Sequence, residues 1–259
     1  MNTILALSGV VIKELYRRKD FYVLFVMTAV ITLLMGSVSF FHDKSIVRYL
    51  KDICLMLIWV SALVIAIVAT ARQIPAEREN RTIFPLLAKP VTRGQVIVGK
   101  FLGCWLACGI ALVVFYTFFG VVSAPREAHW PLAEFLKAIW LHWVMIGIVA
   151  SLALLGSVVF SAPSANSTIC FVVVAGILLL GRHLNVVAVQ QPEPLRAILY
   201  TVYFLIPHLE WYDQREQLVN VREMAGWGYC GLASLYALFY IALLLYATWL
   251  VFRRKPLNG

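Results

Sequence analysis

Six stretches of mainly apolar residues, each bounded by charge or by Gly and Pro, constrain this chain more than any other feature in it. They run over residues 21–41, 53–71, 96–122, 138–161, 166–181 and 229–252. A helix crossing a hydrocarbon core about 30 Å thick needs about 20 such residues, so each run is read as a membrane span. The fifth is the shortest. A further apolar run at 195–206 lies between Pro194 and Pro207. Its twelve residues are too few to cross, and it is expected as a re-entrant or interfacial piece. Composition agrees, because 62% hydrophobic and 14% charged over 259 residues does not describe a water-soluble globule. A net charge of +9 would point a soluble chain toward nucleic acid. Here the bases sit between the apolar runs, where lipid head groups and orientation account for them, and nucleic-acid binding is set aside. The expected fold class is all-α integral membrane: a single transmembrane domain over 1–259, with six spans, no nucleotide-binding domain, and no internal repeat or low-complexity linker.

An even number of spans puts both termini on one side of the membrane. Thirteen Lys and Arg residues lie on that side and nine on the other, four of the nine within 182–228. Bases near span ends are retained in the cytoplasm. Both termini and the 72–100 loop are therefore predicted cytoplasmic, in a multi-pass protein of the cell membrane, inner or plasma, with 182–228 outside. Bases also precede the first run, and Ser37-Val38-Ser39 imitates a signal cleavage site. The run exceeds the roughly 7–15 residues of a cleavable apolar region and is read as an uncleaved anchor.

The spans are poor in chemistry. Ion-coupled transport needs an ionisable group near mid-membrane, yet all thirteen carboxylates fall in loops or at span edges. Within the runs only Lys100 and His142 ionise, and His142 is read as a hydrogen-bonded packing residue. No pairing typical of a membrane protease is present. The five cysteines, Cys54, Cys104, Cys108, Cys170 and Cys230, all lie in apolar stretches. They read as small hydrophobes, the i, i+4 pair Cys104 and Cys108 included. Gly94 to Lys100 fits the first seven places of a phosphate-binding loop, but Phe101 stands where Ser or Thr would bind Mg²⁺ and no strand precedes it. The chain is expected to have no catalytic, cofactor or metal residues of its own. Gly99, Gly103, Ala107 and Ala111, at intervals of four, form a small-residue ridge on which a neighbouring helix can pack closely.

The loop between the second and third runs is more informative. Glu77, Arg78, Glu79 and Arg81 make a charged turn, Ile83, Phe84, Leu86 and Leu87 an apolar patch, and Pro90 ends it. The pattern predicts a short amphipathic helix with charge for orientation and apolar anchors for a partner groove. Here the sequence resembles the permease subunits of type-2 ABC exporters. The resemblance is carried by Glu77, Glu79, Thr82, Leu86-Leu87-Ala88, Pro90-Val91, Arg93 and Gly99-Lys100 in that order; Arg81 stands where the family commonly has Gly, and Pro85 is a second departure. The resemblance extends to an amphipathic stretch at 7–22, similar to the family's elbow helix, and to 182–228, similar to its external re-entrant region.

The resemblance implies a non-catalytic subunit that couples ATP hydrolysis by a separate ABC ATPase, which carries the ATP and Mg, to movement of a substrate. It also implies a homodimer, or a heterodimer with a second permease, embedded in lipid. Glu77, Arg78, Glu79, Thr82, Leu86, Leu87, Pro90 and Arg93 would form the ATPase-coupling interface. Two other classes stay open. A membrane scaffold needs no chemistry, and a lipid-modifying enzyme would have His208, Glu210 and Asp213 as its candidate cluster. Those three could also imitate a metal site, although Trp211 and Tyr212 beside them suggest an interfacial anchor. The transported substrate is not legible.

Overall fold

The computed structural model describes residues 2–17, 22, 25–26, 28–30, 32–33, 44–79, 91–123, 132–220 and 226–254. A backbone without water must satisfy its polar groups internally, and a helix does so within its own segment. The described elements are accordingly helical: α1 (Asn2–Tyr16), α2 (Lys44–Ala71), α3 (Gln73–Glu79), α4 (Arg93–Ser123), α5 (Leu132–Val159), α6 (Pro163–Gln190), α7 (Leu195–Leu205), a 3-10 turn (Leu209–Tyr212), α8 (Arg215–Val219) and α9 (Trp227–Arg254). Among the described residues five helices are long and apolar enough to cross a membrane: Lys51–Glu79, Arg93–Ser123, Leu132–Val159, Pro163–Gly181 and Trp227–Arg254. They coincide with five of the six apolar runs. The remaining run, 21–41, lies mainly outside the described residues. Within it Phe25 stacks on Phe115 of α4 with ring centroids 5.6 Å apart, and Thr28 Oγ1 lies 3.4 Å from Ser61 Oγ of α2.

The fifth span, Pro163–Gly181, ends where the sequence places it, but its helix does not. α6 continues through Arg182 and His183 to Gln190, giving 28 residues, so part of the expected external loop is helix. Charge does not end a helix; proline does. Ala162 and Gln191 both have extended backbones, at φ −90°, ψ 125° and φ −96°, ψ 146°. Each precedes a proline, whose ring disfavours the helical region for the residue before it. Pro163 then opens the helix at a position where its missing N–H costs nothing.

α5 is apolar all round and runs through the middle of the bundle, touching α2, α4, α6 and α9. Its joint with α4 is a reciprocal clasp. Trp105 Nε1 donates to Trp143 O at 2.9 Å and Trp143 Nε1 donates to Trp105 O at 3.0 Å. The two indoles stack with centroids 4.6 Å apart. The clasp requires glycine beneath each ring, because a Cβ on Gly109 would lie 2.6 Å from Trp143 Nε1 and one on Gly147 3.0 Å from Trp105 Nε1.

The small-residue ridge of α4 seats α1. A Cβ on Gly99 would come within 2.8 Å of Leu7 Cβ, and one on Gly103 within 2.7 Å of Val11 Cβ. Val11 and Leu15 bury against Cys104 and Ala107, and Ser8 Oγ donates to Gly99 O at 3.0 Å. The amphipathic stretch expected at 7–22 begins earlier, since α1 starts at Asn2. α7, the short run between prolines, has no buried residue and lies on α6.

Candidate functional site

The described residues among those selected from sequence, Glu77, Arg78, Glu79 and Arg93, lie at the end of the bundle where α4 starts and α9 finishes, here the basal end. The local geometry begins with Pro75. It has no N–H to offer Ala71 O, and its ring crowds that carbonyl. The chain therefore turns at Arg72 and resumes as α3, with Ala76 N–H donating to Arg72 O at 3.0 Å. The released Ala71 carbonyl is taken by Asn166 Nδ2 of α6 at 3.3 Å. Asn166, fully buried, also donates from Nδ2 to Ala153 O of α5 at 3.0 Å and accepts from Cys170 Sγ at 3.4 Å. One amide thus ties α2, α5 and α6. Gly156 of α5 makes room for it, because a Cβ there would strike Asn166 Oδ1.

Lys100, on the second turn of α4, places Nζ 2.7 Å from Glu77 Oε1 and donates to Gln73 Oε1 at 3.2 Å. Gln73 Nε2 donates to Ala69 O at 3.3 Å, which turns the amide oxygen toward the ammonium. The Lys100 side chain is 4% exposed and that of Glu77 25%. An ammonium so placed persists only when paired, and removing one partner of such a buried pair costs about 3–5 kcal/mol. The phosphate-loop look-alike is accordingly the start of an ordinary helix, with its lysine committed to α3. Thr92 and Gln95 cap that helix reciprocally: Thr92 N–H donates to Gln95 Oε1 at 2.9 Å, and Gln95 N–H to Thr92 Oγ1 at 3.3 Å.

Arg93 turns away from α3. Its Nη1 donates to Phe252 O at 2.7 Å and to Arg253 O at 2.9 Å, with the guanidinium 5.5 Å from the Phe252 ring centroid. The last carbonyls of a helix lack N–H partners and carry partial negative charge, and a guanidinium answers both. Of the eight residues singled out in the sequence, Glu77, Arg78 and Glu79 lie on α3 and Arg93 caps α9. Glu77 faces Lys100, Arg78 is half-buried and Glu79 exposed. Thr82, Leu86, Leu87 and Pro90 lie outside the described residues. Gln73, Asn166 and Gly156 carry the local geometry and were not singled out. For the α4 cap a signal existed, the Thr-x-x-Gln spacing; for Asn166, the first residue of the fifth apolar run, none did, because its partners Ala71 and Ala153 are distant in sequence.

At the opposite end the candidate cluster separates. His208 Nδ1 lies 3.2 Å from Glu210 Oε1 inside a ring of Tyr203, Trp211 and Tyr236. Asp213 instead holds Arg215 bidentately at 2.8 Å and 2.8 Å, and Arg215 Cζ lies 4.9 Å from the Trp59 ring centroid. Among the described residues no three His, Cys, Asp or Glu side chains converge. Burial raises the Tyr212 phenol above its usual range, and Tyr212 Oη donates to Ala233 O at 2.8 Å. These contacts anchor the segment. His142 Nδ1 and Tyr116 Oη share a hydrogen bond of 3.3 Å, and the imidazole stacks beside Trp59. An apolar cavity of about 220 Å³ lies between α5, α6, α9 and the 205–209 segment, lined by Val149, Val174, Ile177 and Leu244 among others.

The family model described as ABC-2 family transporter protein matches residues 19–257. No curated protein matches the chain.

Proposed function

From the premise that the chain belongs to the ABC-2 transporter family, we propose that it is the membrane half of an ATP-driven exporter, driven by a separate ABC ATPase subunit. Membership makes it a multi-pass permease; direction, coupling and assembly are our reading. The family match over nearly the whole chain carries it. In this reading run 21–41 supplies a sixth span, α1 is the elbow helix, and α3 with the loop to Arg93 is the coupling segment. Both termini are cytoplasmic, α7 is a re-entrant piece on the outer side, and residues 1–259 form one transmembrane domain. Two copies, or one copy with a related permease, pair with two ATPase subunits that bind the ATP and Mg. Glu77, Arg78, Glu79, Thr82, Leu86, Leu87, Pro90 and Arg93 serve that junction, some by touching the ATPase and others by holding the segment in place.

Affinity purification of the tagged chain from its own membrane tests the assembly. An ABC ATPase should co-purify in equal amount, and ATP hydrolysis should belong to the complex and vanish when the chain is isolated. A chain that hydrolyses ATP or transports alone sinks the reading. Orientation is checked separately with Glu193→Cys in a cysteine-free background, since Glu193 is exposed between α6 and α7. A membrane-impermeant maleimide should label it in intact cells. Labelling only after lysis would reverse the topology.

A further inference from the structure

The loop pattern gives Glu77 to the ATPase surface, but its carboxylate is turned inward, to a lysine that is 4% exposed on the first membrane-crossing turns of α4. A carboxylate spent on an internal ammonium is poorly placed to orient a docking partner. Its position instead solves a mechanical problem set by Pro75. The turn at Arg72 interrupts the helix between α2 and α3, so a push on α3 could dissipate there. α3 is otherwise seated by Ile74, fully buried in the main apolar core, where α3 touches α5. Apolar burial is non-directional and leaves register free. An ammonium shared between two oxygens at 2.7 Å and 3.2 Å fixes both distance and direction.

We infer that Lys100 is a positioning residue of the coupling step: the Gln73–Lys100–Glu77 contact fastens α3 to α4, so that displacement of α3 is delivered to that span instead of being lost at the Arg72 turn. The assignment rests on the proposed docking of the α3 segment onto an ATPase. It separates two roles within one short stretch, with Glu77 and Gln73 transmitting and the residues beyond Glu79 docking. Buried ion pairs contribute little net stability compared with apolar packing. Selection for a defined position accounts for this one better than selection for stability.

The test uses the chain together with its ATPase subunit in lipid vesicles, in a cysteine-free background carrying a spin label at Val121→Cys. Val121 is exposed at the far end of α4 and takes part in neither contact. Two readouts are taken: yield of co-purified ATPase, and the ATP-dependent change in the label's line shape. Lys100→Gln should keep the ATPase yield and lose the ATP-dependent change. Glu77→Gln combined with Lys100→Gln, which leaves no unpaired buried charge, should do the same and guards against a single variant that fails to insert. The double reversal Glu77→Lys with Lys100→Glu should recover the change. A Lys100→Gln complex whose line shape still responds to ATP overturns the inference. So does one whose ATPase yield falls together with the response, since Lys100 would then serve docking or folding alone. If the unmodified chain binds no ATPase, the docking reading itself has failed, and the inference falls with it.

Discussion

Gly156→Leu will lower the thermal stability of the purified permease more than any other single glycine replacement in the basal end. A bare Cβ at this position already strikes Asn166 Oδ1. The amide cannot step aside without releasing Ala71 O and Ala153 O, both of which it holds. Overpacking alone costs about 1–3 kcal/mol, and two lost hydrogen bonds add roughly 0.5–1.5 kcal/mol each. A total near 3 kcal/mol corresponds to a melting temperature lower by about 6–12 °C in a chain of this size. Gly176→Leu on α6 is the control, because a Cβ there meets nothing within 4 Å. Melting of both variants in detergent, followed by circular dichroism, decides the matter. Equal melting temperatures for Gly156→Leu and the unmodified chain would mean that Asn166 is not the tie between three helices.

Leu87→Asp will strip the ATPase subunit from the permease while leaving the permease in the membrane. Leu87 lies outside every apolar run, so insertion does not depend on it. In the proposed junction it is an apolar anchor. Loss of such an anchor typically costs about 2 kcal/mol or more, roughly 30-fold in affinity, and a carboxylate forced into an apolar groove adds desolvation to that. Glu79→Ala removes an exposed charge and should cost only a few tenths of a kcal/mol to about 1 kcal/mol. The measurement is pull-down yield of the ATPase at matched membrane expression. Normal yield with Leu87→Asp would reduce the loop to a surface helix. The pattern also differs from that of the Lys100 variants, which should keep the ATPase and lose only the response to ATP.

The apolar runs were legible because span length is a physical minimum that sequence must meet, and five of them reappear as crossing helices among the described residues. The small-residue ridge and the amphipathic N-terminal stretch were each visible, but their mating was not. That Leu7 and Val11 lie over Gly99 and Gly103 is a contact between segments about ninety residues apart, and no local pattern encodes it. The apolar part of α6 was legible but the helix length was not: Arg182 and His183 mark where apolarity stops, whereas the helix stops only where Pro192 removes an N–H. The same distinction explains the basal site. Charges on α3 were easy to see, but the direction Glu77 faces depends on a lysine 23 residues later. Arg93 carries a positive charge in a loop pattern, yet its use is set by carbonyls at the far end of the chain.

The indole clasp between α4 and α5 has a kinematic consequence. Sliding one helix along the other, or rolling it in place, would break both Nε1–H bonds and drive a ring onto a glycine backbone shaped to receive only the other. Shear between those two helices would cost both bonds and the ring stack, about 0.5–1.5 kcal/mol for each bond, so the pair is biased to move together. In the proposed coupling, a stroke delivered at the foot of α4 would pass to α5, which touches α2, α4, α6 and α9. Of the spans that touch this pair, α6 packs least on α5, and relative motion is easiest there.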